Sequence, residues 1–119
     1  MGLKDNVVYD KSYQFAIRTV KLFKYLQEEH KEFVLSKQLL RSGTAIGALI
    51  RKGHYAQSRA DFVNKLSIAL KEANETDYWI DLLKDTGYLT EVMHQSIKQD
   101  IDEIIALLVS IIKCSKGHS

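Results

Sequence analysis

Arg51-Lys52-Gly53-His54-Tyr55 sets two cations, an imidazole and a phenol ring in one short stretch, the densest grouping of chemically capable side chains in the sequence. Arginine and lysine hold phosphate oxygens, and a tyrosine ring can stack on an unpaired base. Arg59 and Lys65 follow closely, with Arg41 a more distant addition. The candidate nucleic-acid-binding set is therefore Arg51, Lys52, His54, Tyr55, Arg59 and Lys65. A solvated basic surface is the competing reading. A helical ribonuclease is a third, but Arg51 and His54 stand closer together than the Arg-then-His pair of helical-bundle nucleases.

Other chemistries find weaker support. A carboxylate-bridged di-metal site in a helical bundle needs two Glu-x-x-His motifs and two further glutamates. Glu91-Val92-Met93-His94 is the single match, so no metal is expected. His30, His54, His94 and His118 fall near helix ends or in the tail, and none sits in a nucleophile motif. Cys114 is the only cysteine; it excludes an intrachain disulfide and favours a reducing, cytoplasmic setting. Gly43 and Gly47 lie inside a helical pattern and form no phosphate loop. Neither catalysis nor a cofactor is expected.

The elements that must position these residues are helices. The 119 residues suit one hydrophobic core. There is no proline, where a chain of this length would average roughly six, and proline is the residue that breaks helix interiors. The N-terminus lacks the apolar stretch of a signal peptide, and no run approaches the ~18 apolar residues of a membrane span.

Period and caps predict an all-α, antiparallel up-and-down four-helix bundle in a single domain, with helices over 11–28, 37–52, 59–86 and 91–114. Asp10 is the expected cap of the first, with Phe15, Ala16, Thr19, Phe23 and Leu26 on its inner face. Ser36 is the expected cap of the second, which carries Leu39, Gly43, Ile46 and Ile50 inward. Its two internal glycines predict a close helix crossing, and Gly53 a left-handed stop. In the third helix Phe62, Leu66, Ala69, Ala73, Thr76, Ile80 and Leu83 alternate steps of four and three behind a Ser58 cap. Gly87 ends it. Thr90 then caps a fourth helix with Ile97, Ile101, Ile104, Leu108 and Ile111 in the same rhythm. Connections this short permit only up-and-down topology, and 115–119 read as a frayed tail.

Apolar and charged residues exceed what one bundle needs. Ile105, Leu107, Val109 and Ile112 widen the stripe of the fourth helix, and Tyr78 and Trp79 lie off the seam of the third. Tyr78, Trp79, Ile105, Val109 and Ile112 are the candidate oligomer interface. Between 33 and 71, cations outnumber carboxylates seven to one; between 72 and 103, carboxylates outnumber cations nine to two. Such polarity suits copies meeting through unlike faces. Glu75 and Asp77 lie near the third seam and need partners, for which Arg41 is the expected one.

Lys11-Ser12-Tyr13-Gln14-Phe15-Ala16, the stretch from Gln38 to Gly53, Asp61-Phe62 with Leu66-Ser67-Ile68-Ala69, Glu72-Ala73-Asn74-Glu75-Thr76-Asp77-Tyr78-Trp79 and Gly87-Tyr88-Leu89 occur in this order. In these motifs, over nearly its whole length, the chain resembles the bacterial four-helix-bundle family encoded in intervening sequences of 23S ribosomal RNA genes, often labelled S23 ribosomal protein. The resemblance implies a homopentamer without known catalysis. It also implies a fold related to the accessory variability protein of diversity-generating retroelements, and with it an RNA or nucleic-acid-processing protein as partner. Where the family commonly reads Asn-Ile-Ala-Glu-Gly, this chain has Leu49-Ile50-Arg51-Lys52-Gly53, which replaces an amide and a carboxylate and favours anions. The expected function is that of a non-catalytic homo-oligomer whose basic surface binds RNA or a nucleic-acid-processing partner. A protein-interaction scaffold without nucleic acid is the alternative.

Overall fold

The computed structural model describes residues 3–117 and contains four helices: α1 (Leu3–His30), α2 (Leu35–His54), α3 (Arg59–Asp85) and α4 (Glu91–Gly117). His118 lies outside the described residues. The helices form a ring in which the backbone of α1 lies beside those of α2 and α4, and that of α3 beside those of α2 and α4. Short connections make neighbours antiparallel, so the start of α1, the end of α2, the start of α3 and the end of α4 share one end of a 48 × 22 × 18 Å body.

The core follows the apolar periods. Leu66, Ala69, Ala73, Thr76, Ile80 and Leu83 of α3 are all buried, while Phe62, expected at the head of that row, is only half-buried; Ile97, Ile101, Ile104, Leu108 and Ile111 of α4 are buried. In α1 the buried row is Val8, Ser12, Phe15, Thr19 and Leu26; Ala16 and Phe23 are only half-buried. The helix accordingly begins well before Asp10, which is exposed and interior to it, because Val8 already belongs to the core. At the other end α4 continues through the residues expected to fray, as far as Gly117.

Two glycines set the distance between α1 and α2. A Cβ on Gly43 would lie 2.7 Å from Thr19 Cγ2, and one on Gly47 would lie 3.2 Å from the Ser12 carbonyl oxygen. The expected close crossing therefore exists, and any larger residue there would wedge the pair apart. Between α2 and α3, the buried hydroxyls of Ser42 and Thr76 lie 3.0 Å apart, each also within bonding distance of a carbonyl in its own helix.

The helix ends divide between expected and unexpected. Ser58 Oγ accepts the Asp61 N–H at 3.1 Å, and Thr90 Oγ1 accepts the Met93 N–H at 3.1 Å. Gly87 has φ +89° and closes α3. Ser36, however, is not the cap of α2: it lies inside the helix, and its N–H donates to Glu32 Oε1 at 2.8 Å while its hydroxyl donates to the Glu32 carbonyl at 2.8 Å. The other Glu32 oxygen accepts the Val34 N–H at 3.2 Å. Gly53 is not a left-handed stop either. It is buried within α2, where a Cβ would lie 2.7 Å from Leu66 Cδ1; its missing side chain makes room for α3. Among the described residues the left-handed one outside glycine is Lys31, φ 52°, at the α1–α2 turn.

Candidate nucleic-acid interface

Arg51 and Lys52 occupy the last turn of α2, and both are exposed. Antiparallel packing sets this turn beside the first half of α1, where Tyr9 and Tyr13 are one helical turn apart. The Arg51 guanidinium lies 5.3 Å from the Tyr9 ring centroid and 5.6 Å from that of Tyr13. Two ring faces thus hold the charge in place without neutralising it. Among the described residues, neither Arg51 nor Lys52 is paired with a carboxylate.

That distinguishes them from many cations of the bundle. Lys11 meets Glu103, Arg18 meets Asp100, Lys84 meets Glu91, and Lys98 lies between Asp77 and Asp81. Arg41 pairs with Glu72 and Glu75, as expected for Glu75, whereas Asp77 takes Lys98 rather than Arg41. Hydrogen bonds from Trp79 and Arg41 hold the Glu75 carboxyl below its ordinary range. The bond with His94 and the nearby Lys98 do the same for Asp81. Close by its carboxylate partners, Asp77 first, Lys98 has its pKa raised.

The other site residues separate. His54 packs its ring against Tyr9 at 5.1 Å and against Tyr55 at 5.1 Å, with Nδ1 buried and without a hydrogen-bond partner. Tyr55, 75% exposed, follows the end of α2 and presents its ring to solvent. Arg59 opens α3 and shares with His54 a depression of about 350 Å³ at the end of the bundle. Lys65 departs from the set: Asp61, one turn earlier, takes its ammonium at 3.2 Å, so an i,i+4 pair consumes the charge that sequence spacing offered to phosphate. Tyr9 and Tyr13 are the residues that sequence reasoning missed. Their i,i+4 spacing was visible, but nothing in the sequence set them beside Arg51.

Between α1 and α2 these residues border an open groove of about 420 Å³. Tyr9 and Tyr13 line it from α1, Thr44, Gly47 and Ala48 from α2, and Arg51 and Lys52 lie toward its cationic end.

The Glu91-x-x-His94 pair does not converge on a common point. His94 Nε2 lies 2.8 Å from Asp81 Oδ1, while Glu91 reaches Lys84 at 3.4 Å. Among the described residues no group of three or more His, Cys, Asp or Glu side chains could hold a metal ion. No helix among them is long and apolar enough to cross a membrane.

Of the candidate interface residues, Tyr78 is 58% exposed, and Trp79, Ile105 and Val109 are half-buried. Ile112 is only 9% exposed and packs in the chain's own core. Part of the surplus apolar stripe of α4 is therefore used internally, and Trp79 directs its indole N–H to Glu75 Oε2 at 3.0 Å.

Fold and surface together define a four-helix-bundle protein with an aromatic-lined cationic groove. The sequence model of the 23S rRNA-intervening sequence protein family matches residues 4–110, and the chain belongs to that family. A solved structure similar to it is a Bacteroides thetaiotaomicron protein of unknown function from the S23 ribosomal protein family. The two are 63% identical with a TM-score of 0.92, over 93% of this chain and 99% of the other. No curated protein matches.

Proposed function

We propose that this chain is a non-catalytic homo-oligomeric helical bundle, a pentamer by family resemblance, that binds RNA through the surface around Arg51 and Lys52. The observation that carries the reading is the Arg51 guanidinium held against Tyr9 and Tyr13, with Lys52 beside it and, among the described residues, no carboxylate paired with either. Cations spent on holding helices together are matched by carboxylates, as at Arg41 and Lys98. Cations left open to solvent beside aromatic rings suit phosphates. Exposed Tyr78 and half-buried Ile105 and Val109 supply apolar surface for the contact between copies. A cytoplasmic setting is part of the same reading.

Titration of a labelled single-stranded RNA at low ionic strength tests it. Binding should weaken as salt rises, and the double variant Arg51→Glu, Lys52→Glu should lose most of it, lowering the log–log salt slope by about 0.7 for each phosphate contact removed. Undetectable binding by the wild type, or indifference to the double variant, refutes the RNA reading. Sedimentation as a monomer at micromolar concentration refutes the homo-oligomer. RNA cleavage by the wild type that His54→Ala abolishes would overturn the non-catalytic assignment.

A further inference from the structure

The groove between α1 and α2 combines three properties that a flat basic surface lacks. Its volume, about 420 Å³, falls within the roughly 300–1,000 Å³ of small-ligand sites. Tyr13 on one wall is 52% exposed, leaving much of an aromatic ring in water. Small residues line it from both helices, Ala16 on α1 and Gly47 and Ala48 on α2, and the α1 backbone comes close to Gly47 at the Ser12 carbonyl.

Charge decides the occupant. The cations at the groove's end are Arg51, steadied by the tyrosine rings, and Lys52, so an anion is matched there and a flat apolar body is matched deeper in. A nucleotide with its base unpaired joins those two properties in one unit. The Thr44 hydroxyl on the α2 wall already donates its proton to the Leu40 carbonyl at 2.7 Å.

We infer that this groove is a base-stacking subsite for single-stranded RNA, in which one unpaired nucleobase lies against the part of the Tyr13 ring that Arg51 leaves open, while Arg51 and Lys52 hold its phosphate. The inference rests on the RNA reading above and adds which part of the RNA is bound and how. Because a stacking face is common to all four bases, the subsite tolerates sequence and discriminates against duplex, whose bases are already stacked and paired.

The test uses the full chain and a single-stranded RNA carrying one 2-aminopurine, whose emission is quenched by stacking. Ala48→Trp fills the groove from an exposed position, and Tyr13→Ala removes the wall from another; Tyr13→Phe keeps the ring. Quenching on binding is expected for the wild type and Tyr13→Phe. Ala48→Trp and Tyr13→Ala should bind about ten-fold more weakly, the scale of one lost stacking contact, with little quenching. The salt slope of Ala48→Trp should be unchanged, because its phosphate contacts remain. Duplex RNA of the same sequence should bind at least about ten-fold more weakly than the single strand.

Salt-dependent RNA binding that Arg51→Glu, Lys52→Glu abolishes, but that Ala48→Trp and Tyr13→Ala leave unquenched and unweakened, overturns the subsite and spares the cationic surface. No RNA binding by the wild type overturns both. If Ala48→Trp instead dissociates the oligomer in sedimentation, the groove belongs to a contact between copies and the subsite is refuted.

Discussion

Glu32→Ala removes the carboxylate that starts α2. Glu32 is 9% exposed, and its two oxygens accept the Ser36 N–H at 2.8 Å and the Val34 N–H at 3.2 Å. Loss of a capping side chain costs roughly 0.5–2 kcal/mol, and an unmet buried donor about 1–3 kcal/mol. The Val34 end is partly open to water and can rehydrate, whereas the Ser36 N–H is buried. The two effects describe the same loss, so a total of about 2 kcal/mol is the reasoned magnitude. At about 2.1 cal/mol/K per residue the unfolding entropy of this chain is on the order of 250 cal/mol/K, which converts 2 kcal/mol into a fall in Tm of about 8 °C.

Circular-dichroism melting at neutral pH reads the shift, at matched protein concentrations because association contributes to Tm. Burial raises the Glu32 pKa, but backbone N–H groups of Ser36, Leu35 and Val34 outweigh it and leave the folded-state value below the ordinary 4.5. The carboxylate's contribution is therefore complete above that ordinary value and is lost as pH falls through the folded-state value. The gap between wild type and Glu32→Ala should narrow in acid. A shift below about 2 °C at neutral pH, on the same entropy, or a gap that widens in acid, refutes Glu32 as the cap.

Gly43→Ala should destabilise the bundle by about 1 kcal/mol in denaturant titration. Alanine's helix preference, worth about 1 kcal/mol, is outweighed by roughly 1–3 kcal/mol of overpacking against Thr19 Cγ2 at 2.7 Å; Thr19→Ala should relieve part of that strain in the double variant. Trp79→Phe removes the indole bond to Glu75 and should cost about 0.5 kcal/mol at neutral pH, a figure kept small because solvent screens the site. Since the Glu75 pKa is lowered, first by that bond and then by Arg41, the difference should shrink as pH falls below 4.5, and melts at the two pH values check it.

The seams of α3 and α4 were legible because burial in a helix repeats every three or four residues, and each residue of those rows from Leu66 to Leu83 and from Ile97 to Ile111 is buried as its spacing requires. Ser58, Gly87 and Thr90 were legible for a similar reason: a cap is chemistry between residues close in sequence. The start of α2 was not. Ser36 has the type and position of a cap, but Glu32 sits on the preceding turn and its charged oxygen accepts the N–H of Ser36 itself, so the helix starts earlier and takes Ser36 inside. Gly53 has the look of a helix stop, and only the arrival of Leu66 from α3 shows that it is a packing glycine.

The candidate site divides along the same line. Arg51, Lys52, His54 and Tyr55 were visible as a local cluster, since their chemistry is carried by neighbouring residues. Lys65 belonged to it by type until the helical turn brought Asp61 to its ammonium. The pairing of Arg51 with Tyr9 and Tyr13 spans about forty residues, and the groove they border exists only where α1 and α2 meet. Sequence by itself determined four helices, their inner faces and the presence of a cationic turn, because period, caps and composition act locally. Beyond the local Asp61–Lys65 pair and the expected Arg41–Glu75 pair, tertiary structure decided which cations meet carboxylates of other helices and which face solvent beside aromatic rings, because that depends on which side chains the antiparallel packing brings within a few ångströms of each other.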